Sequence, residues 1–118
     1  MNSYLALILG ALLGSSLRYF INLLNYSIAG LPVTTILVNI SGSALAGLFL
    51  NKVNGTNYIF LYIGLFGSFT TLSSFNIDMF NLLSDRLFIK AFIFFLLNIV
   101  LSFIFFYLFY LISIKLEN

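Results

Sequence analysis

The sequence predicts an all-α integral membrane protein, a single domain over residues 1–118 with four transmembrane helices, the third of them broken. Three observations carry that prediction. Hydrophobic residues make up 62% of the chain and charged residues 7%, whereas a soluble domain carries roughly 25% charge. Four apolar stretches, each near the about 20 residues that a bilayer core of about 30 Å demands, follow one another with short polar turns between them. The third stretch is interrupted at bilayer depth by glycines and hydroxyls.

The first span runs from Ser3 to Leu24. Met1 to Tyr4 carry no basic residue, so this segment reads as a retained helix rather than a cleaved signal. A loop at Asn25 to Leu31 is closed by Pro32, the sole proline, whose missing N–H costs nothing at a helix start. The second span runs from Pro32 to Leu50. Residues 51–57 form a polar turn around Asn54-Gly55, where Asn54-Gly55-Thr56 matches a glycosylation sequon by coincidence. The third span, Tyr58 to Leu83, holds Gly64, Gly67, Ser68, Thr70, Thr71, Ser73, Ser74 and Asn76 in its middle. Ser84-Asp85-Arg86 makes the next turn, and a phenylalanine-rich fourth span runs from Leu87 to Ile114.

Composition excludes several functions. The chain has no cysteine and no histidine, and its acids are Asp78, Asp85 and Glu117. Thiol chemistry, zinc sites and paired-carboxylate catalysis therefore lack material, and the chain does not read as an enzyme. A net charge of +2, scattered along the chain, does not suggest a nucleic-acid partner.

Charge also bears on orientation. Lys52 and Lys115 fall on one side of a four-span topology. Arg86 and Lys90 fall on the other, with Arg18 leaning that way. The positive-inside count is nearly balanced. A chain without a preferred orientation can insert both ways and assemble as an antiparallel dimer about a twofold axis in the membrane plane.

Polar groups in hydrocarbon are costly, so each needs a partner or a task. In the first span Gly10 and Gly14 are four apart, a spacing that lets helices approach closely, with Arg18 next on the same face. Arg18 is placed either to snorkel or to line an aqueous vestibule. In the second span Thr35, Asn39, Ser43 and Gly47 form one stripe, either interhelical glue or the face of a pore. The third span has the strongest signal. A helix that unwinds at depth must be covered by protein or a water cavity. Carbonyls freed there can hold a cation, and the helix start that follows favours an anion. The competing reading is a kinked, tightly packed helix. Asp78 lies beyond the break, where a cation or a hydroxyl can pair with it. In the fourth span Asn98, Ser102 and Phe106 share a face.

The groups at depth are amides and hydroxyls, which donate hydrogen bonds. A small anion wants such donors, positive aromatic ring edges and no fixed deep cation that would slow release. The residues suit a small anion better than a cation.

Three motifs in order then resemble the Fluc/CrcB fluoride channels over almost the whole chain. Gly10-Ala11-Leu12-Leu13-Gly14-Ser15-Ser16-Leu17-Arg18-Tyr19 is similar to the family opening GGxxGxxxRY, with Ala11 in place of the second glycine. Pro32-Val33-Thr34-Thr35-Ile36-Leu37-Val38-Asn39-Ile40-Ser41-Gly42 resembles PxGTLxVNxxG, with Thr34 in place of glycine. Gly64 to Phe75 resembles GxxGGxTTFSTF.

The resemblance implies a dual-topology dimer in the cell membrane, with two interfacial pores that export fluoride passively. It implies that Asn39 and Thr35 line the pore with Phe75, that Ser73 and Ser74 stand beside it, and that Asn98 and Ser102 form a polar track. It also implies Arg18 in the vestibule, and a structural sodium ion on the backbone carbonyls of Gly67 and Thr70. One departure stands out: Leu72 occupies the position of the first pore phenylalanine. Leucine is apolar but has no ring edge, so the chain reads as a homodimer with altered pores or as one partner of a heterodimer with a homologous chain. Two alternatives remain, a proton-coupled drug antiporter of the small multidrug resistance type and a non-conducting partner subunit. The antiporter type uses an acid in its first span, and this first span has none.

Overall fold

The computed structural model describes residues 1–118 and is helical almost throughout. Its elements are α1 (Ser3–Leu24), a hairpin of β1 (Ser27–Ile28) and β2 (Leu31–Pro32), α2 (Val33–Leu48), α3 (55–69), α4 (Leu72–Ser84) and α5 (Phe88–Glu117). The broken third span is α3 plus α4. Three of the four spans are long and apolar enough to cross a membrane: Ser3–Leu24, Gly55–Ser84 and Phe88–Glu117. α2, at 16 residues, is about 24 Å long, and the hairpin and the turn at Phe49 and Leu50 extend its reach. The molecule measures 48 × 33 × 19 Å. Its long axis matches a bilayer with headgroups, about 40–45 Å, and its short axis is only about two helix diameters.

Local chemistry sets the boundaries. The Asn2 side chain caps α1 by accepting the Tyr4 N–H at 2.7 Å, and Asn25 ends it in the left-handed conformation, φ 46°. The loop expected at Asn25 to Leu31 instead holds the two-stranded hairpin, Ile28 paired with Leu31. Ala29 and Gly30 occupy its turn with φ 54° and 80°. That is the pair of positive φ angles a two-residue hairpin turn requires, tolerated by Ala29 at some cost. The polar turn also ends sooner than the sequence predicts. Asn54 is extended and its carbonyl accepts the Tyr58 N–H at 3.3 Å. Helix therefore starts at Gly55 rather than Tyr58. At the far end α5 continues past Ile114 to Glu117, whose carboxylate meets Lys52 Nζ at 3.3 Å. That contact puts Lys52 and Lys115 at one end of the molecule, as the topology requires.

Two helical segments are wound as π-helix, Ile59–Phe66 in α3 and Leu96–Val100 in α5. Such segments are rare and concentrate at functional positions. The first is the surface that α1 packs against. Gly10 lies against the Phe60 carbonyl and Gly64, and Gly14 lies against the Leu65 carbonyl and the Ser68 hydroxyl. These glycines therefore serve close backbone approach, as their spacing predicts. α2 packs along α5, where Gly47 meets the backbone of Phe106. α4 meets α5 through a core of Phe75, Leu82, Ala91 and Phe94. The Phe75 and Phe94 rings are stacked at 5.5 Å.

Candidate functional site

The site is built around the break. Helix α3 stops at Phe69. Thr70 and Thr71 are extended, with φ/ψ of −75°/157° and −145°/118°. Helix α4 restarts at Leu72, and its N-cap is Thr71, whose hydroxyl accepts the Ser74 N–H at 3.0 Å. The Thr71 carbonyl keeps the first hydrogen bond of α4, as an N-cap carbonyl does, but its N–H has no helical acceptor.

Asn39 of α2 supplies that acceptor and adds a donor to the carbonyl. Its Oδ1 accepts the Thr71 N–H at 2.8 Å and its Nδ2 donates to the Thr71 carbonyl at 3.1 Å. This two-way bridge fixes which way the amide faces, because the opposite orientation would set donor against donor and acceptor against acceptor. The second Nδ2 hydrogen goes to Asn98 Oδ1 on α5 at 2.8 Å. Asn98, 3% exposed, donates in turn to the Phe94 carbonyl at 3.0 Å. Asn98 sits within the π segment of α5. Three elements are thus tied together by two asparagines.

Beside this tie lies a cavity of about 510 Å³, lined by Asn39, Ser43, Thr70, Thr71, Leu72, Phe75, Asn98, Ile99, Ser102, Phe103 and Phe106. No charged side chain lines it. Ser102 is 8% exposed, and its hydroxyl is buried without a hydrogen-bond partner. Leu72 stands at the open side, 66% exposed.

The predicted site residues divide. Asn39, Leu72, Phe75, Asn98 and Ser102 share this cavity. Thr35 and Ser74 line a second one, also about 510 Å³, with Asn22, Asn25, Asp78, Asn81 and Asp85. There the Thr35 hydroxyl donates to Asp78 Oδ2 at 2.6 Å, so Asp78 pairs with a hydroxyl. Ser73 lines neither cavity, and its hydroxyl lies 3.2 Å from that of Thr71. Arg18 also lines neither cavity. Its Nε donates to the Ser68 carbonyl at 2.9 Å, so the side chain turns in toward the break.

The carbonyls of Gly67 and Thr70 are released by the same rearrangement. The N–H that would bond Gly67 in a continuous helix is that of Thr71, which goes to Asn39. The N–H that would bond Thr70 is that of Ser74, which goes to the Thr71 hydroxyl. Two carbonyl oxygens without their helical donors suit a hard monovalent or divalent cation. Sequence reasoning placed Ser43 on the stripe of α2 without assigning it to the site. Its spacing of four from Asn39 is the signal that finds it.

A family model described as "CrcB-like protein, Camphor Resistance (CrcB)" matches residues 5–110. Among curated proteins, the chain is 37% identical over 101 residues to the fluoride-specific ion channel FluC of Ruminiclostridium cellulolyticum, covering 79% of this chain and 75% of that one. It is 31% identical over 121 residues to fluoride-specific ion channel FluC 2 of Prochlorococcus marinus subsp. pastoris, covering 100% and 98%. It is 37% identical over 93 residues to fluoride-specific ion channel FluC 3 of Methanosarcina acetivorans, covering 78% and 84%.

Proposed function

The chain belongs to the CrcB-like family, and on that premise we propose that it is a subunit of a fluoride-selective channel that lets cytoplasmic fluoride leave the cell passively. The observation that carries the proposal is the uncharged cavity at the break, where hydroxyl and amide donors stand among phenylalanine rings. A bare anion gains hydrogen bonds from donors that have no other partner and from ring edges that carry partial positive charge. Without a fixed cation in the cavity, binding stays weak enough for fast release. The start of α4, with its positive end at the break, favours the same sign of charge.

Each subunit would provide half of a conduction path. The cavity is open at Leu72, and the molecule is thin on its shortest axis, which supports a second chain seated there. We take the assembly to be an antiparallel, dual-topology dimer, consistent with the balanced positive charge. Because Leu72 lacks a ring edge, the favoured partner is a homologous chain. The names FluC 2 and FluC 3 among the relatives support the presence of more than one such chain in an organism. The freed carbonyls of Gly67 and Thr70 are the groups that would hold a structural sodium ion at the break, where it would fix the unwound backbone.

Growth is the direct cellular test. A bacterium deprived of its own fluoride channel is expected to recover growth in millimolar fluoride when this chain is expressed, alone or with a homologous partner from the same source. Equal growth with and without expression, when the protein is present in the membrane fraction, contradicts the proposal.

A further inference from the structure

Hydrogen-bond accounting at the cavity leaves one residue without an assigned role. Asn39 has two amide hydrogens, and both are used, one on the Thr71 carbonyl and one on Asn98 Oδ1. Its carbonyl oxygen is used by the Thr71 N–H. Asn39 therefore has no donor left to offer an ion. The Thr70 hydroxyl, also on the lining, is turned back onto the Phe66 carbonyl at 3.0 Å.

Serines in apolar helices usually discharge their hydroxyl this way, onto a carbonyl of the preceding turn. Ser15 does so with Ala11 at 2.6 Å and Ser41 with Leu37 at 2.6 Å. Ser43 and Ser102 do not, although both line the cavity. Ser102 is more than nine-tenths buried, with its hydroxyl unpartnered. Ser43 is half-buried on α2, one turn on from Asn39, and Ser102 is one turn on from Asn98 on α5. The two asparagines spend themselves on each other and on the break, and one turn further along the same two helices present free hydroxyls.

We propose that Ser43 is an ion-binding residue of this cavity, its hydroxyl donating to fluoride together with that of Ser102. The inference rests on the fluoride reading and extends it to a residue on α2 outside the three-element tie. A hydroxyl has one hydrogen to donate and rotates freely about its Cβ–Oγ bond, so it can follow a passing anion, whereas the bridged Asn39 amide cannot. An unpartnered donor also explains how a dehydrated anion is compensated here without a fixed charge.

The test uses Ser43→Ala and Ser43→Thr, reconstituted in liposomes in whichever assembly conducts, with fluoride binding to the detergent-solubilised chain followed by ¹⁹F line broadening of sodium fluoride. A hydrogen bond to a charged partner is worth enough that its loss is expected to lower fluoride efflux about tenfold. Ser43→Ala should also weaken the line broadening, with its melting temperature unchanged. Ser43→Thr, which keeps the hydroxyl, should retain efflux within about threefold of the parent. A parent that conducts while Ser43→Ala conducts equally well overturns this inference alone. So does a loss of efflux in Ser43→Ala that merely follows a loss of folded protein. A parent that neither conducts nor broadens the fluoride line overturns the fluoride reading and this inference with it.

Discussion

Replacing Asn39 by aspartate is expected to abolish fluoride efflux and to lower the melting temperature of the protein at the same time. The substitution conserves size and one acceptor, so Thr71 can still give its N–H to the side chain. It removes both donors. The Thr71 carbonyl at 3.1 Å and Asn98 Oδ1 at 2.8 Å then face a carboxylate oxygen. The Thr71 carbonyl keeps its helical donor, while leaving the buried Asn98 Oδ1 unmatched costs about 1–3 kcal/mol. An ionised carboxylate at mid-membrane adds about 2.5–3.5 kcal/mol on insertion scales. Protonation relieves the charge but restores only one donor of the two. A total above about 3 kcal/mol corresponds to at least a hundredfold loss by the usual conversion of 1.4 kcal/mol per tenfold. Efflux from proteoliposomes and thermal unfolding in detergent measure the two effects. Parent-like values for both would remove Asn39 from the conduction path and from the tie that holds the break.

The second large effect belongs to the contact between α1 and α3. A Cβ at Gly10 would fall on the Phe60 carbonyl oxygen and lie 3.0 Å from the Leu65 nitrogen, all backbone atoms. A flexible side chain could swing away, but the backbone of a packed helix cannot. Gly10→Val adds two further methyl groups against the same wall, so α1 and α3 must separate. Overpacking of this kind costs about 1–3 kcal/mol where the surroundings yield, and more where they do not. Separation also breaks the bond from Arg18 Nε to the Ser68 carbonyl, since Arg18 rides on α1. We expect Gly10→Val to be recovered mainly as aggregated protein on size exclusion. A monodisperse variant with the parent's melting temperature would show that this face does not hold the two helices together.

Four spans were readable because hydrophobic length and polar turns follow directly from the thickness of the bilayer. The break was readable because glycines and hydroxyls clustered at bilayer depth make a poor lipid-facing helix. What the sequence hid depends on partners rather than residue types. Thr35, Asn39 and Ser43 look like one continuous face at a spacing of four. The break redirects α4, so Thr35 meets Asp78 in one cavity while Asn39 and Ser43 line another. No residue pattern marks the π segments at 59–66 and 96–100, since one extra residue per turn is selected by packing. Arg18 shows the same limit. Its charge is legible in the sequence, but not the carbonyl 50 positions away that its Nε meets.

The central claim, a passive path for fluoride, is tested most directly by efflux from proteoliposomes loaded with fluoride and read with a fluoride electrode. Chloride-loaded vesicles and vesicles carrying a pH gradient serve as comparisons. The chain is reconstituted alone and with a homologous chain from the same source. The account predicts rapid fluoride efflux in at least one of the two assemblies, little chloride efflux, and no requirement for a pH gradient. Efflux from the chain alone would make Leu72 a working substitute for phenylalanine in a homodimer. Fluoride retained in both assemblies by well-folded protein, or fluoride movement only when a pH gradient is imposed, would contradict the account.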